Sequence, residues 1–342
     1  MDYDPDNYHD DLINFPQHIE RALAQMENFN FTFSPKSIIT CGMGGSAIPG
    51  YLLRNYCFDK LSIPVDVANS YNLPAWANED TLVFVTSYSG NTEEALSCLK
   101  QALERNLKIV LISSNGLIEK AAARYNLPFI KAPQNFQPRA ATPFLFTYML
   151  EVLRKSGLIC PDYEEALRNL KKMKPEINTK ARESAEKLAG KFIFIYVPSS
   201  LESVGRRMQA QDFNENAKTL AKFSVIPEAN HNELTAWDKC PAFPLAVIFV
   251  NDPKASASIK ERMEFTKKVV SRKAEILEIK ARGKSLLSRL LTPIYEGDMI
   301  SYHLSIIRKI NPLPVDVVQE LKKHLSEKTK FKEKIIKDLL KE

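Results

Sequence analysis

Two short stretches place small residues and hydroxyls where a strand should give way to a helix. Cys41 to Ala47 reads CGMGGSA, and Thr86 to Leu96 reads TSYSGNTEEAL. Each follows an apolar run and leads into a helical pattern. A helix N-terminus offers unpaired N–H groups at the positive end of its dipole, and neighbouring hydroxyls donate further hydrogen bonds. Such a corner suits an anion, and phosphate above all. Gly44 and Gly45 would let the backbone approach a ligand closely. Capping explains part of the second stretch, with Asn91 or Thr92 as the cap and Glu93 and Glu94 in the first turn. It does not explain Ser87, Ser89 and Gly90 together.

The first corner also satisfies G-x-G-x-x-A through Gly42, Gly44 and Ala47, with Asp66 at about the distance of a ribose contact. A nicotinamide enzyme therefore stays open, although this motif alone is weak. No G-x-x-x-x-G-K-[ST] occurs, which excludes a P-loop. Two hydroxylated corners on neighbouring strands, without a lysine, fit one compact phosphate better than a dinucleotide.

Short β-branched runs alternating with helical patterns must position these corners, which predicts a parallel, doubly wound sheet. After a helical lead, the runs at 37–41, "IPVDVA", "TLVFVT", "KIVLIS" and "LPFIKA" read as strands, and "ATPFLFTYMLEVLRKSG" closes this half as a helix. A polar, helical, strandless stretch near 153–190 reads as a connector. Alternation resumes with "KFIFIYVPSS", "KFSVI", "PLAVIFVND" and "AEILEIKARG". Two long helical patterns follow, the first expected to break near Pro293 and Gly297. Strand, small-residue corner and helix recur in both halves, an internal duplication. The expected domains are 1–152, with the helical lead, and 153–342, with the connector and the C-terminal helices. A cleft between two such domains is the default place for a ligand.

The chain has 342 residues, enough for two ordinary domains, with 44% hydrophobic and 26% charged residues. The net charge of +6 is spread through segments with interleaved acids, so nucleic acid is not an expected partner. Five cysteines without C-x-x-C pairing point to reduced thiols rather than disulfides or zinc. No H-x-x-x-H constellation suggests a metal. The acidic N-terminus is unlike a signal peptide, no apolar run reaches membrane-spanning length, and a cytoplasmic protein is expected.

CGMGGSA with TSYSGNTEEAL resembles the paired corners of SIS (sugar isomerase) domains, which bind phosphosugars. RRMQAQDFNENAK, IPEANHNE, PQNFQPRAATPF and INPLPVDVVQELK resemble segments of the bifunctional phosphoglucose/phosphomannose isomerases, in order and over nearly the whole chain. The resemblance implies two SIS domains, no cofactor, a hexose 6-phosphate substrate and a homodimer. It implies Glu215 as the base that moves a proton between C1 and C2, a task a carboxylate suits. It implies His231 as the ring-opening acid–base group, acting in related isomerases on the partner subunit's site. Arg139 would stabilise the enediolate. Gly45, Ser46, Ser87, Ser89 and Thr92 would take the phosphate. Ser301 is the nearest equivalent of a small hydroxyl residue that leaves room for the C2 epimer. SIS domains also serve as sugar-phosphate sensors without catalysis, but sensing needs only the phosphate grip, not Glu215, His231 and Arg139.

Overall fold

The computed structural model describes residues 3–240 and 242–340. Two parallel sheets organise them. In the first, β1 (Ser37–Cys41), β2 (Val65–Ala68), β3 (Thr81–Thr86), β4 (Lys108–Ser113) and β5 (Phe129–Lys131) run in the order β2-β1-β3-β4-β5. In the second, β6 (Phe192–Pro198), β7 (Ala221–Ile226), β8 (Leu245–Asn251) and β9 (Glu275–Lys280) run β7-β6-β8-β9. The first four strands of each sheet thus share one order, the topology expected of a duplicated α/β unit. β1 and β3 are buried at every position, as strands covered on both faces must be.

In both sheets the chain winds outward in two directions from a central pair, β1/β3 in one and β6/β8 in the other. Ligands of open parallel sheets bind beyond the carboxyl ends at such a switch point. Register places Cys41 opposite Val85, so the corners after β1 and β3 emerge side by side.

The chain forms two compact units whose boundaries differ from a cut at 152. One comprises Gln17–Pro161 with Val315–Glu342, and the other Met1–Pro16 with Asp162–Pro314. Buried apolar side chains account for the exchange of termini. Ile335 and Leu339 join the core of the first sheet, Phe331 packs edge-on to Tyr71 at 5.1 Å, and Tyr125 donates to the carbonyl of Leu339 at 2.7 Å. At the other end, Phe15 stacks on Tyr295 at 5.7 Å and Tyr295 donates to the carbonyl of Ile13 at 3.0 Å.

Two helical expectations are corrected. The polar stretch expected as a connector is the helix Tyr163–Leu188, which buries Ala166, Leu170, Met173, Ile177, Ala181, Ala185 and Leu188 at three- and four-residue spacing. It packs along the helix Leu286–Ile307 in the core of its own unit. That second helix continues unbroken through Pro293 and Gly297. A buried proline in a helix forfeits a hydrogen bond at about 3 kcal/mol, which the burial of nearly every flanking side chain offsets.

Candidate active-site residues

In the first unit, the chain leaves β1 through Gly42, makes a 3₁₀ turn at Gly44–Ser46 and enters the helix Ile48–Cys57. It leaves β3 through Ser87–Thr92 and enters the helix Glu93–Glu104. Neither helix has a side-chain cap at its N-terminus, so Thr92 does not play the capping role its position suggests. Its hydroxyl instead accepts from the Ser87 hydroxyl at 2.9 Å, and Ser87 Oγ faces the Thr92 amide at 3.4 Å. Ser87 is buried and Ser89 is exposed.

The two corners are fused. Ser46 Oγ accepts the backbone N–H of Tyr88 at 3.0 Å, which leaves its own O–H as a donor. Tyr88 also reaches the loop before the helix Thr142–Lys155, donating to the carbonyl of Pro133 at 2.7 Å and accepting the N–H of Phe136 at 2.8 Å. That loop ends in Arg139, 1% exposed, with a guanidinium N–H 3.4 Å from Gln137 Oε1. A Cβ at Gly45 would lie 2.8 Å from both Arg139 N and the carbonyl carbon of Pro138, so only glycine admits this approach. Gly45, Ser46, Ser87, Thr92 and Arg139 therefore belong to one cluster. Tyr88, which sequence reasoning missed, staples it together.

The equivalent corner of the second unit is filled from within. Ser200, after β6, donates to Asp252 Oδ2 at 2.7 Å, and Arg289 Nη1 lies 2.6 and 2.7 Å from the two Asp252 oxygens. An internal carboxylate occupies the place where the first unit offers hydroxyls.

The second unit carries Glu215, His231 and Ser301. The helix Glu202–Arg207 passes into a π-helix, Met208–Asn216, and half-buried Glu215 sits in its final turn. π-Helical turns are rare and recur at functional sites. Asn214 Oδ1 accepts the N–H of Ala221 at 2.9 Å, and the Lys218 ammonium donates to the carbonyl of Glu215 at 2.6 Å. Asn216 accepts from the Tyr8 hydroxyl and donates to Ser301 Oγ, each at 3.1 Å. Ser301 is fully buried, and its hydroxyl donates onward to the carbonyl of Asp298 at 2.8 Å. It is thus committed to supporting Asn216.

Beneath Glu215 lies a buried charge cluster. Arg207 Nε stands 3.2 Å from Asp212 Oδ1, a contact of charges rather than an aligned hydrogen bond, and Arg207 Nη2 bonds Asp298 Oδ1. Burial first, and then the Asp298 charge, push the Asp212 carboxyl well above the usual range, while the Arg207 charge pulls it down. His231 ends the 3₁₀ turn Glu228–His231 after β7, exposed, on a turn pinned by Asn230 donating to Thr266 Oγ1 at 2.8 Å. Among the described residues no group of three or more His, Cys, Asp and Glu side chains could hold a metal ion.

Comparison with known proteins bears on the fold and the family. A family model described as the bacterial phospho-glucose isomerase C-terminal SIS domain matches residues 177–325. A bifunctional phosphoglucose/phosphomannose isomerase of Caldicellulosiruptor bescii is 33% identical over 334 residues, covering 92% of this chain and 98% of the relative. A D-glucosamine-6-phosphate 4-epimerase of Sulfolobus acidocaldarius is 34% identical over 200 residues, covering 57% of this chain and 62% of the relative. A crystal structure of a provisionally assigned phosphosugar isomerase from Clostridium difficile superposes with a TM-score of 0.74 at 17% identity, covering 92% of this chain and 97% of that one. That likeness concerns the fold, which is the two-SIS-domain architecture.

Proposed function

This chain belongs to the bifunctional phosphoglucose/phosphomannose isomerase family, and from that premise we propose that it interconverts glucose 6-phosphate and mannose 6-phosphate with fructose 6-phosphate. The observation that carries the reading is the fusion of two hydroxylated corners at the β1/β3 switch point, beside a buried arginine. Its donors match a phosphate dianion: the Ser46, Ser89 and Thr92 hydroxyls with the Gly45 amide, Thr92 being oriented by the Ser87 hydroxyl that donates to it.

Glu215 removes the proton from C2 of the open-chain aldose, and the electron pair passes through C1 onto O1, which leaves a cis-enediolate. The C2 hydroxyl passes its proton to O1 while the same carboxyl returns its proton to C1, giving the ketose with atoms and charge in balance. Arg139 stabilises the negative charge that develops on the enediolate oxygens. His231 moves the ring-opening proton, and its exposed position is what a residue serving a second copy in a homodimer requires. Reprotonation at C2 on either face yields both aldoses, and Ser301 enters this step through Asn216 and hence Glu215. No cofactor is invoked.

We place the protein in the cytoplasm, in the hexose phosphate exchange shared by glycolysis and gluconeogenesis. Buried free thiols at Cys41, Cys57 and Cys98 fit a reducing compartment, and no described helix is long and apolar enough to cross a membrane. The test is a coupled assay of fructose 6-phosphate formation from each hexose phosphate. Turnover of both supports the reading, and binding without turnover would leave a sugar-phosphate sensor. Loss of configuration at C4 of an amino sugar phosphate, with no ketose formed, would move the chain toward the epimerase it also resembles.

A further inference from the structure

The π-helix that carries Glu215 is tied to one face of the helix Leu286–Ile307 on both sides of that residue. Upstream, Arg207 spans Asp212 of the π-helix and Asp298 of the long helix, and all three side chains are buried to within 2%. Downstream, Asn216 donates to Ser301 at 3.1 Å. Asp298 and Ser301 are three residues apart, hence neighbours on one helical face. Gly297 belongs to the same device, since a Cβ there would lie 2.7 Å from Asp212 Oδ2.

A π-turn holds one residue more than an α-turn and is the less favourable winding, so it persists only where its surroundings hold it. Relaxation to α-helix shifts register by one residue and swings a side chain about 100° around the axis. Either anchor, once released, therefore permits a movement that carries Glu215 away from a carbon it must reach.

We propose that Asp212 and Ser301 are positioning residues that fix Glu215, the first held by Arg207 and Asp298, the second through Asn216. The proposal rests on Glu215 being the proton shuttle.

The experiment measures turnover of glucose 6-phosphate, and exchange of its C2 hydrogen with solvent deuterium, for Ser301→Ala, Asp212→Ala and Asp212→Asn. Each alanine variant should lower kcat about ten- to a hundredfold, as a misplaced catalytic group does, with KM little changed. Asp212→Asn, which keeps the size and shape of the side chain, should recover most of that loss. In the Glu215→Gln background neither alanine change should reduce the residual turnover further, because both act through the missing carboxylate. A folded Ser301→Ala enzyme with wild-type kcat overturns the proposal, and so does a further loss in the Glu215→Gln background. Should Asp212→Ala fail to fold, Ser301→Ala, which deletes a single oxygen, decides alone. Wild-type exchange by Glu215→Gln itself refutes the shuttle assignment instead, so the two failures are told apart.

Discussion

Ser46 accepts the backbone N–H of Tyr88 at 3.0 Å, and this bond makes one rigid unit of two corners that follow different strands. Neither corner can move without the other, and the Tyr88 hydroxyl carries the coupling on to the loop that ends at Arg139. A phosphate bound there meets donors already in place, which limits the ordering cost of binding.

Removing donors from this unit should weaken substrate binding more than it slows chemistry. Ser46→Ala and Thr92→Ala each delete a hydroxyl offered to a charged acceptor, a loss of about 1.5–3 kcal/mol or about ten- to a hundredfold. Ser87→Ala, which removes the donor that orients Thr92, should also weaken binding. Ser89 is exposed, so Ser89→Ala should cost least. Titration with fructose 6-phosphate gives the order, and tighter binding by any of the four variants contradicts the phosphate assignment.

Gly45 and Gly44 are adjacent but should respond differently to alanine. A Cβ at Gly45 meets the Arg139 backbone at 2.8 Å, whereas at Gly44 nothing lies within 4 Å and only the positive φ of 54° resists. Gly44→Ala should therefore cost about 1 kcal/mol of stability. Gly45→Ala should displace Arg139 and remove most turnover. Equal activity of the two variants would separate Arg139 from the reaction.

Glu165 predicts a pH dependence of stability. Its carboxylate accepts the amides of Lys284 and Ser285 at 2.6 and 2.7 Å, just before the helix Leu286–Ile307. Hydrogen bonds from Ser285 and from the Lys284 amide lower its pKa to about 2. A depressed carboxylate stabilises the fold fully above the unfolded-state value, and the gain fades as pH falls toward 2. Glu165→Gln should thus lower Tm at pH 7 by the equivalent of about 2 kcal/mol, with the difference shrinking in acid. A gap that widens on acidification would refute this.

His231 gives a test of assembly. If it serves a second copy, Glu215→Gln and His231→Ala chains refolded together should regain turnover that neither homogeneous sample shows. No recovery from mixed dimers of demonstrated stoichiometry places His231 on its own chain's reaction.

Both corners and the parallel, doubly wound sheets could be read from residue types and spacing, because small hydroxylated residues after apolar runs have few other uses. The acid–base candidates come only from the family resemblance. Other features left no such trace. The π-helix across MQAQDFNEN has an α-helical composition, and Arg207, Asp212 and Asp298, which tie it to the long helix, meet only in the folded unit. Pro293 and Gly297 carry the usual marks of a helix break and are overridden by burial and by the nearness of Asp212. The exchange of termini depends on Ile335 and Leu339 finding a distant core. Tyr88 could have been suspected, as an aromatic residue between two serines of a tight corner.

The central claim is that Glu215 carries the proton between C1 and C2. Its most direct test is the rate at which glucose 6-phosphate exchanges its C2 hydrogen with deuterium oxide, measured by NMR for the wild type and Glu215→Gln at saturating substrate. The amide keeps the shape and lacks the base, so exchange should fall by at least about a hundredfold while the affinity for fructose 6-phosphate holds. Exchange by the variant at the wild-type rate would contradict the account and send the search for the base elsewhere.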